Sequence, residues 1–216
     1  CEGRLILGVG RGFAPEMLKA FHVPIAEKRK IFAWSLELMR DAWLGKKISL
    51  DGSLEEAVPV YPRPLQTPHP PIWVAAFGPK ALAQAGRMGL PYLCSPMESI
   101  DTLLHNYEIH LTASREEGVE PASTKPLMRT VFVSNDQAIL SRVKQEILNE
   151  RKNSRPDSAE TIEDWTLIGE PKQVSEMIQT YRERIGMTHL IATRPRIKGV
   201  DPVSYTHLRA HETARH

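Results

Sequence analysis

The chain has 216 residues, 41% hydrophobic and 25% charged, an ordinary composition for a globular protein with one sizeable core. Its 28 basic and 26 acidic residues leave a formal net charge of +2 with both signs mixed along the sequence, too weak for a nucleic-acid footprint. No apolar run nears the roughly 18 residues of a membrane span, and Cys1 and Cys94 offer neither a metal-ligand spacing nor a disulfide framework. A reducing cytoplasm is the expected location, with neither nucleic acid nor membrane as partner.

The sequence begins with Cys1 and enters at once into Arg4-Leu5-Ile6-Leu7-Gly8-Val9-Gly10, which reads as a strand already under way and as a chain whose opening is absent. Short apolar runs then alternate with helical patterns, the signature of βα units and a parallel sheet. Strands are expected at about 4–9, 71–76, 91–95, 127–133 and 188–193. The clearest helix covers 24–44, where Ile31, Trp34, Leu38 and Ala42 recur at helical spacing, Pro24 suits the first turn and Gly45 can end it. Residues 46–70 break into Pro-rich coil around an Asp51-Gly52 turn. Helices are expected again at 79–88, 99–117 and 136–152, and a last one at 171–185 closed by Gly186. Between the last two, 153–166 is polar and weakly patterned, which predicts a long loop of the kind that serves as a lid.

Residues 203–216 fit none of this. They carry three of the eight histidines and no helical stripe, and the string Ser204-Tyr205-Thr206-His207-Leu208-Arg209-Ala210-His211-Glu212-Thr213 resembles a translated sequencing-adapter read-through. The expected organisation is one partial barrel domain over 1–202 and a non-native, disordered tail.

In a parallel barrel, chemistry gathers at the C-terminal ends of the strands. The first such end is Gly8-Val9-Gly10-Arg11-Gly12-Phe13, where glycines let a ligand approach the backbone and a guanidinium meets an anion with a two-pronged fork. It lacks the Lys-Ser/Thr ending of a Walker loop, and its evenly spaced glycines are not a dinucleotide fingerprint. The second end is Ala75-Ala76-Phe77-Gly78-Pro79-Lys80, where backbone N–H groups and a helix dipole meet at a helix start. Each has a plain reading too: a tight turn with a solvated arginine for the first, and a well-punctuated βα turn for the second.

Taken together, the blocks GRLILGVGRGFAPEMLKAFHVP, YPRPLQTPHPPIWVAAFGPKALAQAGRMGLPYL and LIGEPKQVSEMIQTYRERIGMTHLIATRP resemble, in order and separation, the signatures of the luciferase-like monooxygenase family across residues 3 to 200. The resemblance implies a (β/α)8 TIM barrel truncated to about strands 4 to 8. It implies a flavin-dependent monooxygenase acting with reduced FMN and molecular oxygen on a small organic substrate, with a flavin reductase as source of reduced flavin and a homodimer when full length. It assigns the flavin phosphate to Arg11 between Gly10 and Gly12, and to Phe77 and Gly78 with Lys80 and Ala81 on the opening helix turn. Some members carry hydroxyl residues in that turn, so Gly78 and Ala81 here shift the binding onto backbone N–H groups. Some carry a reactive cysteine just before the arginine, where this chain has Gly10.

No triad, metal cluster or carboxylate pair is visible, as expected when the cofactor carries the chemistry; catalytic residues lie on the absent strands or are unassigned. Three alternatives stay open. One is hydride transfer with a deazaflavin coenzyme on the same fold, another a non-catalytic flavin-binding subunit, and the third an unrelated barrel enzyme. Of the other conspicuous residues, His22 reads as a surface histidine or a substrate contact and His69 as structural. Cys94 reads as a buried inert thiol. Trp34 and Trp43 read as core packing, and Arg194 and Arg196 as a basic loop that meets an anionic group or only solvent.

Overall fold

A computed structural model describes residues 2–12, 14–49, 53, 56–154 and 161–195, leaving aside the side chains of 151–154. The alternation read from the sequence becomes βα units, distributed over two units, Cys1–Ala76 and Phe77–His216, that are described separately.

The first unit contains β1 (Leu7–Gly10), α1 (Pro15–Ala20), α2 (Lys28–Trp43) and β2 (Ile72–Ala75). Strands β1 and β2 pair in parallel from Leu7↔Ile72 to Gly10↔Ala75, and the Leu7 N–H extends the pairing to the Pro71 carbonyl at 2.8 Å. Helix α1, which the apolar pattern missed, has only six residues and one buried side chain, Leu18, so it carries no stripe; its signal is Pro15 in the first turn. In α2 the buried positions are Leu36 and Ala42, with Met39 and Trp43 half-buried beside them. Trp34 falls on the opposite face with Glu37 and Arg40 and is 45% exposed, which corrects the expected core role. The buried face is rotated by about one residue from the stripe that Ile31, Trp34, Leu38 and Ala42 mark in the sequence. Trp43 packs instead, tilted against the His69 ring at 5.8 Å, while His69 Nδ1 donates to the Pro70 carbonyl at 2.8 Å. Within the coil, Ile48 and Val58 form an antiparallel bridge; the Asp51-Gly52 turn lies outside the described residues.

The second unit contains α3 (Pro79–Arg87), β3 (Tyr92–Leu93), α4 (Ile100–Glu117), β4 (Pro126–Val133), α5 (Gln137–Ser154), a 3-10 turn (Ile162–Asp164), β5 (Thr166–Gly169), α6 (Pro171–Ile185) and β6 (His189–Thr193). Its sheet is parallel in the order β5-β4-β6. Strand β4 divides one of its edges. Along its C-terminal half Thr130–Val133 pair with Thr166–Gly169, and Ser134 N–H continues to the Gly169 carbonyl. Nearer its start, Met128 meets the Cys94 thiol, which accepts from the Met128 N–H at 3.3 Å and contacts the Met128 carbonyl at 4.0 Å. A side chain thus stands where a backbone ladder would otherwise run, and β3 is two residues long.

Strand β5 overturns the long-loop expectation for 153–166. Asn153 and Ser154 end α5, Ile162 and Trp165 are core, and Thr166 opens a strand. The polarity that suggested a loop belongs to capping: Thr161 N–H donates to the Asp164 carboxylate at 2.6 Å, and the Thr161 hydroxyl donates to it at 3.0 Å. Residues 153–154 and 161–166 are therefore helix end, 3-10 turn and strand rather than loop, and 155–160, the rest of the expected lid, lie outside the described residues. Phe132, Leu140, Val143, Ile147, Ile162, Trp165 and Ile168 form the core between β4, α5 and β5. Helix ends follow their sequence signals: Ser99 caps α4, accepting from the Thr102 N–H at 3.3 Å, and left-handed Gly118 and Gly186 close α4 and α6. Among the described residues no helix is long and apolar enough to cross a membrane.

Helices α3 and α4 approach closely. Ser114 Oγ donates to the Gly86 carbonyl at 2.9 Å, and His110 Nε2 donates to the Leu90 carbonyl at 2.9 Å. His110 is 3% exposed, and burial lowers its pKa from the ordinary 6.5. The unfolded chain takes up the proton first, so the stability His110 contributes is complete above about pH 6.5 and is lost as pH falls below it. The melting midpoint of the full-length protein should drop more steeply between pH 7 and 5 than that of His110→Gln, whose amide can still donate to Leu90. Parallel midpoint curves would remove His110 from the acid response.

Candidate functional site

The β1–β2 register sets Gly10 opposite Ala75, with the position a Gly10 Cβ would take 3.5 Å from the Ala75 Cβ. Because the strands are parallel, Arg11 and Ala76 leave neighbouring strand ends on the same side. Arg11 is half-buried, and both its burial and the positive charge of Arg29 at the start of α2 lower its pKa. Even a lowered guanidinium stays charged at neutral pH, so Arg11 and Arg29 face each other as like charges. Gly12, at φ +71°, makes the turn into the following segment, and a Cβ there would press on Leu18 at 3.2 Å. Phe13 lies outside the described residues.

In the second unit the turn ahead of α3 is built from Phe77, 66% exposed, and Gly78, which caps the helix at φ +79° and ψ 163°. Only glycine adopts that conformation without strain, and a Cβ at Gly78 would meet nothing within 4 Å, so it is the backbone angle and not crowding that calls for glycine here. Pro79 has no N–H, and the Ala81 and Leu82 amides both turn back to the Gly78 carbonyl at 3.0 and 3.1 Å. The donors the turn can offer are therefore the Gly78 and Lys80 amides, with the exposed Lys80 ammonium beside them. Ala81 is 3% exposed and its side chain belongs to the core.

The remaining conspicuous residues scatter. His22 is exposed on the α1–α2 connection at φ +55°, Arg194 is exposed after β6, and Arg196 lies outside the described residues. Cys94 is buried and unbridged, and burial pushes its thiol up, away from the reactive thiolate. No group of three His, Cys, Asp or Glu among the described residues could hold a metal ion.

Sequence reasoning passed over a buried polar cluster behind β3 and β4. Glu98 accepts from the Tyr92 hydroxyl at 2.7 Å, the Ser95 N–H at 2.7 Å and Asn106 Nδ2 at 3.0 Å. Burial pushes its carboxyl up, and these donors together with Arg129 pull it back. Arg129, wholly buried, is the cation of the cluster. The available signal was a charged residue inside the apolar run of 126–133, where an unpaired charge would be too costly to bury.

The first 189 residues match the family model described as luciferase-like monooxygenase. Among curated relatives, the uncharacterized protein y4vJ of Sinorhizobium fredii is 33% identical over 141 residues, 63% of this chain and 40% of that protein. An F420-dependent glucose-6-phosphate dehydrogenase of Rhodococcus hoagii is 26% identical over 222 aligned positions, 89% of this chain and 64% of that protein. Two solved structures share the fold. One is the monooxygenase RslO1 from Streptomyces bottropensis (TM-score 0.67, 24% identity, 89% of this chain and 62% of that one). The other is the oxygenating constituent of 3,6-diketocamphane monooxygenase from Pseudomonas putida, in complex with FMN (TM-score 0.64, 20% identity, 89% and 64%). The chain spans less than two thirds of the length of each of these relatives.

Proposed function

The chain belongs to the luciferase-like monooxygenase family, and from that premise we propose that it is the part of a (β/α)8 oxidoreductase running from the fourth to the eighth barrel strand, one that holds a flavin-type coenzyme by its phosphate. In this reading β1, β2, β3, β4 and β6 are the five barrel strands, and β5 is an addition on the β4 edge. The observation that supports the site is the in-register parallel pairing of β1 with β2, which brings Arg11 out at the same strand end as Ala76.

Arg11 contributes a permanently charged fork, and the Gly78 and Lys80 amides contribute donors at a helix start. Gly10 lets β1 lie close to Ala75, and Gly12 turns the chain past Leu18, so both shape the backbone that carries Arg11. When bound, reduced FMN would supply the two electrons with which one atom of molecular oxygen is inserted into a small organic substrate and the other leaves as water, whereas a reduced deazaflavin would supply a hydride. The residues named here fix the phosphate and thereby the ring's position; they do not touch the reacting atoms.

The deazaflavin reading has an observation of its own: curated relatives at 26–28% identity across 89% of this chain are named F420-dependent glucose-6-phosphate dehydrogenases. Both coenzymes carry a phosphate, so the phosphate site alone suits either. Titrating the full-length protein separately with FMN and with F420, by fluorescence quenching, assigns the coenzyme. Binding of one at micromolar or lower Kd and not of the other is the expected outcome, and binding of neither overturns the reading.

A further inference from the structure

Arg129 sits in the middle of β4 with no exposed surface. Its Nη2 donates to the Glu98 carbonyl at 2.6 Å, and its Nη1 donates to the Met128 carbonyl at 2.8 Å and the Ser95 carbonyl at 3.4 Å. Its Nε donates to the Tyr181 hydroxyl at 3.0 Å, and that hydroxyl donates to the Asp164 carbonyl at 3.2 Å. The fork therefore grips two carbonyls of one short turn, Ser95 and Glu98. The Glu98 carboxylate grips the same turn from within through the Ser95 N–H, and is held in turn by Tyr92 and Asn106.

Both ends of the turn are thus pinned, and Ser95, Pro96 and Met97 form the half-exposed span between the pins. Met97 N–H donates to Ser95 Oγ at 3.3 Å, which tightens the span further, and the partly buried Met97 side chain packs against the edge of the core. Burying a guanidinium and a carboxylate is an expensive way to gain stability, since well-packed apolar residues of similar volume do as well or better. What the charges add is one fixed conformation for this turn. The turn follows β3, at the C-terminal strand end, the side on which barrel loops meet their ligands.

We propose that Arg129 is a positioning residue: it holds the Ser95–Glu98 turn so that Ser95, Pro96 and Met97 form a rigid, largely apolar wall against the coenzyme ring. This rests on the flavin-type coenzyme reading above.

The test uses the full-length protein with Arg129→Met, which removes the fork at similar volume, and with Pro96→Gly, which loosens the span and leaves every buried charge in place. Affinity for FMN and for riboflavin should fall about tenfold alike in both variants, the cost of ordering the freed segment on binding. The visible absorbance band of the bound ring should move toward that of the free ring. A folded Arg129→Met that melts earlier but binds both rings with unchanged affinity and spectrum makes Arg129 purely structural and overturns the proposal. Should Arg129→Met not fold, Pro96→Gly decides, and unchanged binding in it has the same consequence. If the wild-type protein binds neither flavin nor F420, the coenzyme reading falls and this one with it; binding by the wild type that the variants fully retain overturns only the wall.

Discussion

Replacing Arg11 with alanine in the full-length protein should weaken FMN binding by about 10- to 150-fold and leave riboflavin binding nearly unchanged. Charge-assisted hydrogen bonds contribute roughly 1.5–3 kcal/mol each, which sets that range. Riboflavin has the same ring without the phosphate, so it reads everything except the contact in question. Arg29 strengthens the expectation: two like charges close enough to lower the Arg11 pKa create a potential that a bound anion relieves. The loss should shrink as salt is raised, because the contact is partly exposed and is screened over about 8–10 Å at 0.1–0.15 M ionic strength. Equal losses for both ligands would make Arg11 a support of the local fold, and no loss for either would make it a solvated loop residue. Isothermal titration of both ligands against both proteins separates these outcomes.

The second large effect concerns stability. A Cβ on Gly86 would overlap the His110 carbonyl oxygen and lie 3.2 Å from the Ala113 Cβ, against the backbone of α4 rather than a movable side-chain tip. Ala85, Ala113 and Ser114 are buried around the same crossing, so there is no slack into which the helices could shift. Gly86→Ala normally gains helix propensity, by roughly 1 kcal/mol. Here the overlap should outweigh that gain and leave a net loss of about 2–3 kcal/mol. For a protein of this size or larger the melting midpoint falls by roughly 2–4 °C per kcal/mol, so a drop of roughly 4–12 °C is expected. The Ser114 bond to the Gly86 carbonyl would be pushed apart at the same time. A variant that melts where the wild type does, or later, would mean that α3 and α4 can separate without cost.

Much of the fold was legible in the sequence for identifiable reasons. Strands β2 and β4 are compact apolar runs, and α3 to α6 carry sharp end signals such as Pro79, Ser99, Gly118 and Gly186, which act locally and need no tertiary information. The misses are cases where a local signal had two meanings. Trp34 shares a helical spacing with Ile31, Leu38 and Ala42, yet a rotation of about one residue decides which side of α2 faces inward. Thr161 and Asp164 counted as loop because they are polar, yet they cap a short turn that leads directly into β5. At the candidate site, Gly78 and Arg11 stood out by residue type and spacing. Arg129 and Glu98 did not, because their pairing spans 31 residues and exists only once β3 and β4 lie side by side. The Ala81 side chain was legible as family pattern, but its burial follows from the packing of α3 on α4.

The divided edge of β4 also bears on how such a sheet can vary. A thiol closes one stretch of that edge and a four-residue strand from a connecting segment closes the other, so neither closure dictates how much chain lies between α5 and β5. Lengthening a flexible connection is cheap, about 0.6 kcal/mol for each doubling. A change in the length of chain between α5 and β5 should therefore leave both closures of the β4 edge in place.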